Sequence, residues 1–259
     1  MSLFLQKWST QPEIFGLFHI CGIGFVIVFG VIGYYLGKRY TSEKYNRKIE
    51  FTLSIIGCFL VIAETLKTVF VTNVVNNGSF SLAAIPFQIC DIPAYMLASL
   101  YFLKNDKIKN SFLGFITFFG TGSAIFYFAK PAAALNSEYI CLSVYSFFWH
   151  YALICIGVFC VVSYSLCKKG GIKSVINGYY SWLVCALIAL IVNEVNNIIN
   201  PDSLVDFFYI NSRKETFYPL LNMIFNPNPK PYFLYFIAFL IYYGLGGLLM
   251  YKLAKLIDK

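Results

Sequence analysis

Charge is scarce in this chain: Asp, Glu, Lys and Arg together supply 12% of its 259 residues. Soluble domains carry about 25%. With 59% hydrophobic residues and a mean hydropathy of +0.68, a water-soluble fold is excluded. Paired cysteine motifs are also missing. The eight cysteines (Cys21, Cys58, Cys90, Cys141, Cys155, Cys160, Cys167 and Cys185) form no Cys-x-x-Cys pair, and no histidine follows at zinc spacing. They lie mostly in apolar runs and read as small buried hydrophobes, so neither a disulfide framework nor a metal site is expected. No cofactor motif is present, and no cofactor is expected. The first hydrophobic run follows a weakly charged segment and has no small-residue cleavage site, so it reads as a helix and not as a removable signal.

What the chain does have is apolar length. A bilayer crossing needs roughly 20 mostly apolar residues, and seven such runs fit at about 14–37, 49–72, 83–103, 111–130, 143–167, 178–200 and 232–255. The expected fold is therefore all-α: one membrane domain over 1–259, a seven-transmembrane-helix bundle. Asn76, Asn77 and Gly78 separate the second run from the third, Pro131 closes the fourth, and Gly170 and Gly171 separate the fifth from the sixth.

Lysine and arginine orient the bundle. Lys38, Arg39, Lys44, Arg47 and Lys48 follow the first run, Lys104, Lys107 and Lys109 the third, and Lys168, Lys169 and Lys173 the fifth. Lys252, Lys255 and Lys259 close the chain, while the other side holds only Lys7, Lys130, Arg213, Lys214 and Lys230. The positive-inside rule puts the N-terminus outside and the C-terminus in the cytoplasm, in a multi-pass plasma membrane protein. The net charge of +8 then faces the anionic inner leaflet and implies no nucleic-acid partner.

Polar residues inside the runs share a depth. At 1.5 Å per residue, His19, Glu64, Lys67, Gln88, Cys90, Asp91, His150, Asn193 and Glu194 all lie roughly 7–12 Å below the outer ends of their runs. Both histidines of the chain belong to this layer. Asn193, Asn196, Asn197 and Asn200 stripe one helix face. Glu64 and Lys67, three apart, can pair. In the third run, Pro93 cannot donate to the carbonyl of Ile89, which predicts a kinked helix start beside Cys90. Ionisable groups at such depth point to function. Each also has a plainer reading: a structural ion pair for Glu64–Lys67, interhelical hydrogen bonding for the Asn stripe, packing for Cys90 and a satisfied core histidine for His19. The outer connection 201–231 is long and aromatic, ending in Asn226-Pro227-Asn228-Pro229-Lys230-Pro231. With Phe207, Phe208, Tyr209, Phe217 and Tyr218 it reads as a lid, an interfacial anchor or a packing segment.

Around Pro86, Gln88 and Cys90, with His19, Glu64, His150 and the Asn stripe elsewhere, the chain resembles the YwaF-type bacterial integral membrane proteins, related to human transmembrane protein 164. The resemblance implies a lipid acyltransferase using a Cys–His pair, which would be Cys90 and His150 here. Position 88 is often His in that pattern and is Gln in this chain. A thiolate at Cys90 needs a base, for which His150 is the candidate, oriented by Glu64, Asp91 or Glu194. Gln88 or an Asn such as Asn193 or Asn197 would donate to the oxyanion, with His19 and Lys67 as further binding groups. The expected partners are phospholipid or lysophospholipid of the outer leaflet, and with water as acceptor the same site is a lipase. A proton-coupled transporter or binding protein could use the same cavity, although no internal repeat or pair of broken helices is evident. A non-catalytic scaffold is the third reading.

Overall fold

The computed structural model describes residues 5–41, 46–129, 131–202, 205–215, 218–225 and 231–258. Lys44, Lys130, Lys230, Lys259, Phe217 and the 226–230 part of the proline-rich stretch lie outside these. The described residues are helical, with no strand among them. Five helices are long and apolar enough to cross a membrane: α1 (Leu17–Arg39), α2 (Arg47–Phe70, carried on by a π turn, Val71–Val75), α5 (Ile140–Tyr164), α6 (Ile172–Ile199) and α7 (Tyr232–Ile257). Their outward faces carry large apolar side chains such as Leu17, Phe59, Ile198 and Leu256.

Helices α3 and α4 differ. The sequence predicts the third helix over 83–103 with Gln88, Cys90 and Asp91 inside it, but α3 covers Ile92–Ser99, with a 3₁₀ turn at Leu100–Phe102. Pro93 sits in its first turn, where the missing N–H costs nothing. Ile85, before Pro86, is extended. The two prolines therefore start the helix late instead of kinking it, and leave Gln88, Cys90 and Asp91 on irregular backbone. The fourth helix, α4, runs as three continuous pieces, Asp106–Gly114, a π segment Phe115–Gly120 and Thr121–Tyr127. Every residue of the π segment is buried. Packed against α5, α6 and α7, α4 has protein neighbours instead of lipid, which accounts for its small and hydroxylated residues.

Glycines allow the closest contacts. Gly114 of α4 and Gly178 of α6 lie backbone to backbone, so a Cβ on either would collide with the other chain segment. α1 lies along α5 and α2 along α3. At the N-terminus, Lys7 pairs with Glu138 at 2.8 Å and Trp8 N donates to Glu138 O at 3.0 Å, tying the leading segment to the start of α5. Each charge of that exposed pair favours the other, lowering the Glu138 carboxyl and raising the Lys7 ammonium.

Candidate functional site

Three groups of polar side chains are built from the helix termini inward. The first surrounds Cys90. Its Sγ donates to Oδ1 of Asp91 at 3.6 Å, while Oδ2 of Asp91 accepts from Gln88 N at 2.8 Å and closes a tight turn ahead of α3. Trp149 of α5 donates from Nε1 to the Cys90 carbonyl at 3.2 Å. From α2, Glu64 pairs with Lys67 one turn on and accepts from Tyr145 Oη at 3.0 Å. The Lys67 ammonium also lies 5.8 Å from the centre of the Tyr145 ring. The stretch ahead of α3 supplies the thiol and one carboxylate, α2 the other carboxylate and the ammonium, and α5 links the two through Trp149 and Tyr145.

His150, one residue past Trp149 on α5, does not reach the thiol. Its Nδ1 meets the Ser146 carbonyl at 2.6 Å. Because a carbonyl only accepts, Nδ1 carries the proton and Nε2 keeps its lone pair. Among the described residues, no hydrogen bond joins His150 to Cys90. The ring of Tyr127 stacks on the imidazole at 3.6 Å and 5°, and its hydroxyl meets Ser146 Oγ at 2.6 Å. The phenol ring therefore covers one face of the imidazole.

His19 belongs to neither. Nδ1 accepts from Phe15 N at 2.9 Å and Nε2 donates to Phe128 O at 2.8 Å, in a fully buried ring. Both nitrogens are engaged by backbone, so His19 fastens the start of α1 to the end of α4 and has no lone pair left for substrate.

The remaining predicted residues hold the connection between α6 and α7. Asn193 exchanges two 2.9 Å hydrogen bonds with the backbone of Phe207. Gln88 grips the same stretch, donating to Asp206 O at 2.9 Å and accepting from Phe208 N at 2.8 Å. Asn197 and Asn211 exchange amide hydrogen bonds of 2.9 and 3.0 Å, and Glu194 accepts from Ser212 Oγ at 3.0 Å. Val205, Phe207, Phe208 and Ile210 are buried. Of the readings open for this connection, its 205–213 part packs into the bundle, anchored by side-chain amides that satisfy irregular backbone. Farther along, the short helix Pro219–Phe225 buries Leu221 and turns Leu220, Met223 and Ile224 outward. That leaves an apolar face at the rim.

Several contributors carry no signal of their own in the sequence. Tyr127, Tyr145, Ser146 and Trp149 are ordinary members of aromatic or apolar runs until folding sets them around Cys90 and His150. A second buried ion pair was missed as well. Glu50, fully buried in the first turn of α2, takes Lys109 of α4 at 2.7 Å, and Arg47 approaches its other oxygen at 3.5 Å. Lys109, expected as a loop cation, is thus a buried helix residue whose charge is matched inside the protein. The Arg47–Glu50 spacing of three was the one available hint.

Comparison of the chain with protein-family models, with curated proteins and with solved structures finds no match. The family resemblance rests on the motif residues alone.

Proposed function

We propose that this chain is a bacterial plasma membrane enzyme that moves or hydrolyses glycerophospholipid acyl groups through a thioester on Cys90. In this reading it crosses the bilayer seven times, with the N-terminus outside. Helix α3 and its 3₁₀ turn span roughly 16 Å at 1.5 Å per residue, so the irregular stretch before it completes that crossing. Irregular backbone at membrane depth is tolerated where it is packed against protein or lines a cavity. Lys38, Arg39, Lys168, Lys169, Lys252 and Lys255 set the cytoplasmic side.

The observation that carries the proposal is the Cys90–Asp91 contact. Asp91 accepts the thiol proton, Lys67 holds the thiolate, and sulfur attacks the ester carbonyl. The tetrahedral intermediate collapses to a thioester, and the departing lysolipid alkoxide takes the proton back from Asp91. A second lysolipid hydroxyl, or water, then gives its proton to Nε2 of His150 and attacks the thioester. The thiol is restored as that proton returns to sulfur. Lysolipid, or free fatty acid with water as acceptor, is the product to find.

Intact-protein mass spectrometry after incubation with mixed phospholipids tests this. An acyl-sized, hydroxylamine-labile mass on wild type and none on Cys90→Ala supports it. No adduct and no lysolipid in either sample sinks it. The Glu64–Lys67 pair next to Asp91 favours a second reading, proton-coupled transport. That reading predicts a proton flux in proteoliposomes that survives Cys90→Ser and is lost in Glu64→Gln.

A further inference from the structure

Away from Cys90, at the far ends of α5 and α7, lies a pocket of about 400 Å³ lined by Cys167, Lys168, Lys252, Lys255, Leu256 and Asp258. His150 and Cys167 are separated by roughly 25 Å along the helix direction, so the pocket is independent of the acyl-transfer reading. We propose that it binds the phosphodiester headgroup of an anionic phospholipid.

The charge arrangement favours an anion. Oδ2 of the buried Asp258 accepts from Cys167 N at 2.8 Å and Lys168 N at 3.0 Å, so this oxygen is taken by backbone. Among the described residues no carboxylate lies within ion-pair distance of Lys168, Lys252 or Lys255. Three ammonium groups against one carboxylate leave an excess of two positive charges around the pocket. Lys252 and Lys255 line it from one face of α7, one turn apart, and Lys168 from the short helix Leu166–Gly170 that follows α5. Three lysines from two elements line the pocket, and ammonium groups donate readily to the oxygens of a phosphate.

The surroundings favour a lipid over free phosphate. Leu256 lines the pocket and is itself exposed, and it continues an outward apolar strip through Leu249 and Leu253 on α7. A phospholipid would set its phosphate among the lysines and lay its acyl chains along that strip, so both halves of the molecule meet matching surface. The ends of two long apolar helices are where headgroups reside. Basic pockets between membrane helices at that level bind anionic headgroups.

Native mass spectrometry of the whole protein, released from detergent micelles containing phosphatidylglycerol or phosphatidylcholine, tests the site. Wild type should retain phosphatidylglycerol preferentially. Each lysine near an anionic headgroup is worth roughly 5-fold in binding, so Lys252→Gln with Lys255→Gln should weaken retention about 25-fold. Phosphatidylcholine should be retained equally by both proteins. A control of equal charge change at Lys38 and Lys48, together with unchanged melting temperatures, separates the pocket from general electrostatics and misfolding. Equal retention of the two lipids by wild type would overturn the proposal, as would a double variant that binds like wild type or a control that loses as much. Displacement of the lipid by millimolar inorganic phosphate would likewise overturn it, leaving a free-phosphate site in its place.

Discussion

The Cys90 thiol faces the carboxylate of its own neighbour, Asp91, at 3.6 Å, while His150 is turned to the Ser146 carbonyl and covered by the ring of Tyr127. The group in contact with the sulfur is therefore a carboxylate one residue along the chain, and the imidazole is engaged by other partners.

If Asp91 holds the thiol proton, Asp91→Asn should slow acyl-adduct formation on Cys90 by about 10²-fold or more, the usual scale for losing a positioned base. His150→Ala should instead slow release of the adduct and let it accumulate. Time-resolved intact mass spectrometry separates the two effects. Rapid adduct formation in Asp91→Asn would return the proton to His150.

His19→Ala should behave as a stability variant. It leaves the buried Phe128 carbonyl without this partner, at a cost of about 1–3 kcal/mol, and removes the acceptor of the N–H of exposed Phe15, which adds less. Melting in detergent should fall, while activity per folded molecule stays unchanged. A loss of turnover at constant stability would give His19 a role in the chemistry.

Asn193→Ala removes both hydrogen bonds to Phe207 and should free the 205–213 stretch locally. Hydrogen exchange in peptides covering that stretch should rise, and the amides of α6 two turns away should not change. Gln88→Ala should give the same pattern, since both amides hold one segment. Uniform exchange across the bundle would show that the segment is not an independent unit.

Breaking the Glu50–Lys109 pair from the lysine side should cost up to about 3–5 kcal/mol, because the buried carboxylate then keeps only Arg47, at 3.5 Å, as a counter-charge. Lys109→Met alone should therefore melt well below wild type. Combining it with Glu50→Leu should recover most of the loss, with Arg47 turning to solvent. A double variant no better than Lys109→Met would mean that the pair also serves another structural need.

The helical and membrane character was legible in composition and run length, because burial in lipid selects residues by hydropathy alone. Helices α1, α2, α5, α6 and α7 announce themselves as long apolar runs. The late start of α3 was less legible: Pro93 in a helical pattern reads equally as a kink or as a first turn, and only its position relative to the backbone hydrogen bonds decides. The π segment of α4 left no trace, since it depends on how Phe115–Gly120 meet three neighbouring helices.

At the site, residue type and depth were enough to pick out Glu64, Lys67, Cys90, Asp91 and the Asn stripe as unusual. Which of them meet was decided by packing. Periodicity orders residues along one helix but says nothing of the angle at which another helix arrives. The pairing of Gln88 and Asn193 with the returning backbone of 206–208, the Tyr127 ring on His150 and the backbone capture of His19 all arise between segments far apart in the chain. A hydrogen bond needs a particular distance and direction, and for these groups both are set by the three-dimensional arrangement of the helices.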